Sequence, residues 1–267
     1  MTNSKQEIKF LDGPQSRWKE FTFTLSVISE FIKGFRHLHF AGPCVTIFGS
    51  ARFKEDHPYY QQTQKLAAEV ARLGFTVLTG GGPGIMEAAN RGAKEVGGRS
   101  VGCNIVLEHE QVPNPYLDKW VNIKFFFVRK TLLIKYSYAF IVMPGGFGTL
   151  DEFFEALTLV QTKKIKSFPI IVFDKDFYKA IMDHFEKMKV EKTIAPADIG
   201  LCFLTNSIDE AINYLKENSI VEFKLSYKKE KRKWWFFEWG IKNAVMNRFS
   251  CCIFNINGIF QTIFNYL

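Results

Sequence analysis

Ala139-Phe140-Ile141-Val142-Met143-Pro144-Gly145-Gly146-Phe147-Gly148-Thr149-Leu150-Asp151-Glu152 is the stretch that decides the fold. Five apolar residues read as a buried strand, and three glycines in four positions read as a sharp turn. The helix that follows carries Thr149, Asp151 and Glu152 in its first turn. A turn without side chains lets the backbone approach a ligand closely, and the free N–H groups of a helix start suit an anion such as phosphate. Two carboxylates beside an anion site are electrostatically misplaced unless one of them acts on what the anion anchors.

Outward from this stretch, strand-like runs alternate with helix-like ones between Val45 and Ser219. Strands are expected at 45–49, 76–79, 100–105, 139–143, 169–173 and 201–204. Helices are expected at 59–73, 85–96, 129–138, 150–161, 177–189 and 208–217, each with apolar residues at helical spacing. Repeated strand-helix units argue for an α/β, doubly wound, mostly parallel and Rossmann-like sheet, whose ligands bind beyond the carboxyl ends of the strands. Two further glycine turns stand at strand ends, Phe48-Gly49-Ser50-Ala51-Arg52 and Gly80-Gly81-Gly82-Pro83-Gly84. If adjacent, the three would form one floor of backbone donors.

Neither long glycine turn is the G-x-G-x-x-G dinucleotide fingerprint or a Walker loop, so NAD-linked redox chemistry and ATP hydrolysis lack support. Arg129 and Lys130 follow Phe125-Phe126-Phe127-Val128 and open a helix leading into the motif strand, where they can face the phosphate. An ordinary solvated basic pair is the plainer explanation for them. Glu87 near the start of one helix, and Asp151, Glu152 and Glu155 in another, sit where the helix dipole favours acids without any function. The five histidines show no metal-ligand spacing, and no metal site is expected. The loop from Glu108 to Tyr116 is placed to cover a base.

The chain has 267 residues, of which 47% are apolar, and a formal charge of +8. Eight Lys/Arg against three Glu after Ser219 account for +5 of that charge, so the rest of the chain is close to neutral. Nucleic acid is therefore not an expected partner. The five cysteines are scattered and read as reduced thiols. A polar start without a signal-like apolar stretch, and no run long enough to span a bilayer, give a cytoplasmic expectation. Three regions are expected: an N-terminal helical extension (1–40), the Rossmann-like domain (41–219) and a basic, aromatic, amphipathic tail (220–267). The helix at 18–40, with Phe21, Leu25, Ile28, Phe31, Ile32 and Phe35 along one side, needs a partner surface, in its own domain or in a second subunit. The tail admits membrane contact, packing, or little function at all.

Gly80-Gly81-Gly82-Pro83-Gly84-Ile85-Met86-Glu87-Ala88-Ala89-Asn90 together with Pro144 to Glu152 and Arg129-Lys130 resembles the Lonely Guy (LOG) family. These are phosphoribohydrolases that release the base from cytokinin riboside 5'-monophosphates or from AMP, long mislabelled lysine decarboxylases. The resemblance covers about residues 20 to 218 and leans to the longer, type II branch through the additional N-terminal helix and Tyr136-Ser137-Tyr138-Ala139-Phe140, where the shorter branch usually has an aspartate in place of Tyr138. It implies Arg129 and Glu152 as the catalytic pair. It also implies substrate contacts from Gly49, Ser50, Gly81, Gly82, Gly84, Met86, Glu87, Lys130, Gly145, Gly146, Gly148 and Thr149. A nucleoside 5'-monophosphate would be hydrolysed without cofactor by a homodimer or larger homo-oligomer. A non-catalytic nucleotide-binding or sensing protein is the competing reading. Amine decarboxylation would need pyridoxal phosphate on a Schiff-base lysine, and no lysine has such a setting.

Overall fold

In the computed structural model the described residues are 4–106, 112–165 and 168–221. The tail and Glu108–Gln111 of the loop expected over the base lie outside them. Seven strands, β1 (Cys44–Phe48), β2 (Thr76–Thr79), β3 (Ser100–Ile105), β4 (Lys119–Ile123), β5 (Ser137–Val142), β6 (Ile170–Phe173) and β7 (Phe203–Thr205), form one sheet in the order β4-β3-β2-β1-β5-β6-β7. Every pairing is parallel. The helices are α1 (Ser4–Leu11), α2 (Arg17–Leu38), α3 (Pro58–Arg72), α4 (Ile85–Glu95), α5 (Phe126–Tyr136), α6 (Phe147–Gln161), α7 (Lys175–Val190) and α8 (Ile208–Leu215). None is long and apolar enough to cross a membrane.

A parallel sheet covered on both sides needs strands that are apolar on both faces, and β5 meets that demand. Phe140 and Val142 join one core with Leu132, Phe153 and Tyr178, while Ala139, Ile141 and Met143 join the other with Leu66, Ile85 and Ala89. Chain order runs outward from β1 through β2 and β3 to β4, then returns to β5 on the other side of β1. The switch point therefore lies between β1 and β5, and the crevice beyond their carboxyl ends is the ligand position of such sheets.

Four expectations need correction. The strand β4 is absent from the sequence reading because it is an edge strand with Lys119, Trp120 and Asn122 among only two buried residues. Its alternation lacks the continuous apolar run of its neighbours. Helix α5 starts at Phe126 rather than Arg129, and β5 begins at Ser137, where the helix was expected to continue. The last strand is displaced to 203–205 because Pro196–Leu201 forms a 3₁₀ turn. Finally, α6 begins at Phe147 with Gly146 as its N-cap. Glu152 therefore lies in the second turn, not the first. Helix α1 was not anticipated.

Helix α2 lies against α5 and β4. Its Glu30 accepts a hydrogen bond from the Lys124 amide at 2.9 Å, and Phe23, Val27, Phe31 and Phe35 pack on the core. The opposite side leaves Trp18, Phe21, Leu25, Ile28 and Ile32 exposed. The long helix thus uses one face for its own domain and keeps a second apolar face outward.

Candidate active site

The three glycine turns are stitched together at the switch point. The Ser50 amide donates to the Pro144 carbonyl at 3.0 Å, and the Ile85 amide donates to the Ser50 carbonyl at 3.0 Å. Gly49 abuts Ile85. Gly84 makes the junction with φ +70° and ψ −128°, and a Cβ there would meet the Ser50 carbonyl oxygen at 2.5 Å. No other residue fits that combination of backbone conformation and contact. The three turns are adjacent as expected, but they form no continuous floor of free donors, because the Ser50 and Ile85 amides are used between the turns and the Gly81 amide is bonded to Thr79.

The turn after β5 keeps its donors open. Thr149 and Leu150 both donate their amides to the Gly146 carbonyl, at 3.0 Å each. The preceding amides, at Phe147 and Gly148, occupy the helix start, where no earlier carbonyl can be reached. Gly146, Phe147 and Gly148 are exposed, whereas Thr149 is buried directly beneath Gly145. An anion can therefore meet the first turn of α6 along bare backbone, with the helix dipole in its favour.

The turn after β2 is held by buried amides. The Thr79 hydroxyl donates to Asn90 Oδ1 at 2.7 Å and accepts the Gly81 amide at 2.9 Å. Asn90 Nδ2 donates to the Ser100 hydroxyl at 2.8 Å. Asn114 Nδ2 reaches both Asn90 Oδ1, at 2.9 Å, and the Gly82 carbonyl, at 3.1 Å, while its amide donates to the Gly81 carbonyl. Sequence reasoning did not single out Thr79 or Asn114, whose roles depend on meeting Asn90 across 11 and 24 residues of chain.

The charged residues divide into two sets. Arg129 lies close to Gly80, where a Cβ would come within 2.8 Å of both its Nη2 and the sulfur of Met86. Its Nε donates to the Cys103 carbonyl at 3.1 Å, and its Nη1 stands 3.7 Å from Glu152 Oε1. That separation makes an ion pair but not a hydrogen bond. Glu152 is 3% exposed, and its Oε2 is buried without a hydrogen-bond partner. Burial pushes the Glu152 carboxyl up to about 7, with the opposing charge of Arg129 offsetting only part of the effect. A carboxyl poised near neutrality, in a dry position with one free oxygen, is suited to exchanging a proton or facing a cationic centre.

Lys130 does not stand free beside the anion site. Its ammonium is 3.0 Å from Asp151 and 2.8 Å from Glu155, which ties α5 to α6. Although burial works against it, the hydrogen bonds that Lys130 donates to Glu155 and Asp151 push its pKa up. Glu87 is engaged as well, accepting the Tyr60 hydroxyl at 3.0 Å. Of the sequence-predicted residues, Arg129, Glu152, Met86, Gly49, Ser50, Gly81, Gly82, Gly84 and the 145–149 turn converge at the strand ends. Lys130 and Glu87 come to the same region with their charges already matched. Among the described residues no cluster of ligating side chains could hold a metal ion.

Residues 86–215 match the family described as "Possible lysine decarboxylase". A cytokinin riboside 5'-monophosphate phosphoribohydrolase from Rhodococcoides fascians is 28% identical over 172 residues, covering 63% of this chain and 86% of that protein. One of the same name from Mycobacterium tuberculosis is 36% identical over 107 residues, covering 38% of this chain and 57% of that protein. Over this region the chain resembles the Lonely Guy (LOG) family.

The chain also superposes on the molybdenum cofactor binding protein of Rippkaea orientalis, with a TM-score of 0.50 and 21% identity over 66% of this chain and 96% of that one. At that identity the likeness establishes the shared fold alone. Lysine decarboxylation does not fit the chemistry of this site. A Schiff-base lysine must be available unprotonated, and Lys130, the lysine the fold brings here, is held as an ammonium between two carboxylates.

Proposed function

We propose that the protein hydrolyses the N-glycosidic bond of a purine or cytokinin nucleoside 5'-monophosphate, yielding free base and ribose 5-phosphate. The observation that carries this reading is the buried Arg129–Glu152 pair, whose carboxylate keeps one oxygen unpartnered beside an open glycine turn at a helix start. Similarity to cytokinin riboside 5'-monophosphate phosphoribohydrolases supports the same substrate class.

In this mechanism the 5'-phosphate lies on the 145–149 turn, and Gly81, Gly82 and Gly84 line the adjoining wall with Gly49 and Ser50. As the bond from C1' to the base breaks, its electron pair leaves with the base and the ribose becomes oxocarbenium-like. Ionised Glu152 stabilises that positive charge and takes a proton from the water that attacks C1'. Arg129 orients the ligand and offsets negative charge on the phosphate or the departing base. The proton completing the free base comes from solvent or returns from Glu152, so the products balance substrate plus one water. Met86 and Glu87 contribute to the wall, and Lys130 supports α6.

We also infer a three-part chain, with an N-terminal extension (1–40), a catalytic domain (41–219) and an appended tail, acting as a cytoplasmic homo-oligomer without cofactor. The outward apolar face of α2 supports the oligomer. The deciding experiment is incubation with AMP and with isopentenyladenosine monophosphate, following free base by chromatography. Base release from a monophosphate is the expected result. Measurable binding without release from any monophosphate would overturn hydrolysis in favour of a nucleotide-binding protein.

A further inference from the structure

We propose that Arg52, on the turn after β1, binds the 5'-phosphate and supplies the positive charge that the rest of the site lacks. The assignment deepens the monophosphate hydrolase reading and rests on it.

The charges already placed around the phosphate turn do not favour a dianion. Asp151, Glu152 and Glu155 stand on α6 below it, and Glu87 stands on α4. Three cations stand among them, and all are committed: Arg129 to Glu152 and the Cys103 carbonyl, Lys130 to Asp151 and Glu155, and Arg91, one turn along α4 from Glu87, to Glu55 and Glu95. The local balance is negative whenever Glu152 is ionised, which is the state its chemistry requires. Backbone amides and a helix dipole contribute only partial charges, so a dianionic phosphate needs a further cation.

Three basic residues stand just past the carboxyl ends of β1 and β6. Lys54 is followed by Glu55 and Asp56, and Lys175 lies between Asp174 and Asp176. Arg52 has no acidic neighbour in Ser50-Ala51-Arg52-Phe53 and forms no ion pair among the described residues. Its amide donates to the Ser50 hydroxyl at 3.1 Å, and Ser50 itself is bonded to Pro144, the first residue of the phosphate turn. Ala51 contacts Gly84 in the second turn, its Cα 2.9 Å from where a Cβ would be. The backbone of Arg52 is thus anchored at the seam of all three turns, while its side chain is exposed and uncommitted. A guanidinium also matches phosphate oxygens in a way a point charge does not.

The assignment predicts that Arg52 is read through phosphate affinity rather than through the chemical step. Base release from AMP and from adenosine, with titration of ribose 5-phosphate by calorimetry, should be compared for the wild-type protein, Arg52→Ala and Arg52→Lys. Arg52→Ala is expected to raise KM for AMP and weaken ribose 5-phosphate about 10- to 50-fold, the range of a charge-assisted contact at a partly exposed position. It should leave kcat within about threefold, and the trace activity on adenosine should not change. Arg52→Lys should recover only part of the affinity, since an ammonium keeps the charge but not the paired donors. Unchanged ribose 5-phosphate affinity in Arg52→Ala would overturn the proposal, as would equal losses on AMP and adenosine. If the wild-type protein released no base from any monophosphate, the hydrolase reading would fall, and the calorimetric comparison would still decide Arg52.

Discussion

Replacing Glu152 by Gln should make the ligand-free protein more stable at alkaline pH while removing its activity. Glu152 is almost fully buried, and burial lifts its carboxyl from 4.5 to about 7. A group that binds its proton more tightly when folded adds stability below the unfolded value, and that contribution is lost as pH rises through the folded value. At about 1.4 kcal/mol per unit, the full loss is roughly 3 kcal/mol, of which roughly 2.5 falls between pH 5 and pH 8. Gln mimics the protonated form at every pH and loses nothing over that window. Denaturant unfolding of the wild-type protein and Glu152→Gln at one protein concentration, at several pH values from 5 to 8, isolates this group because every other titration is shared. The stability of the variant relative to wild type should climb by roughly 2.5 kcal/mol across the range. Parallel curves would refute the reasoning, since they would mean that the carboxyl is solvated when folded and that its apparent isolation is wrong. Turnover should fall about 10²- to 10⁴-fold in the same variant, with AMP affinity kept within a fewfold. Equal losses of affinity and rate would make Glu152 a structural residue.

The pH profile of kcat/KM should show an acidic limb with a midpoint near 7, because the ionised carboxyl is the working form; activity that is flat from pH 5.5 to 8 would argue for a different group. Gly84→Ala should cost at least about 2 kcal/mol, through a disfavoured backbone conformation and collision with the Ser50 carbonyl, and thermal unfolding would detect a drop of several degrees. Asn90→Ala should cost roughly 2 to 4 kcal/mol by stranding Thr79, Ser100 and Asn114 in a dry interior, and it should raise KM by loosening the turn at Gly81 and Gly82. Stability and KM measured together would show whether the network positions that turn.

The legible part of this fold was the part whose cause is local. The strands β1, β2, β3, β5 and β6 announce themselves because burial on two faces demands short runs of apolar and small uncharged residues, and the glycine turns announce themselves by three glycines within a few positions. The edge strand β4 did not, since one-sided burial leaves Lys119, Trp120 and Asn122 in an unremarkable pattern. The start of α6 was placed three residues late because Phe147 and Gly148 carry no helix-start signal, and the N-cap is a glycine that makes no side-chain bond. The engagement of Lys130 by Asp151 and Glu155 is a property of two helices packed side by side. Nothing in the spacing of positions 130, 151 and 155 could reveal it. The same holds for Asn114, which reaches the turn from a separate loop.

Glu152 is the point where fold and function conflict. Along α6, Thr149, Glu152, Phe153 and Ala156 form the buried stripe, at the spacing of one helical face turned to the core. A leucine or methionine at 152 would satisfy that stripe, whereas a carboxylate there lacks hydration and has one oxygen without a partner. Packing alone cannot account for the choice, because a 3.7 Å ion pair with Arg129 returns less than the cost of burying both charges. A residue that breaks the apolar pattern at a cost to stability, beside the open glycine turn at the start of α6, is where a catalytic group is expected to be found. The stability gained by Glu152→Gln at pH 8 therefore measures what the fold gives up to keep that carboxylate in place.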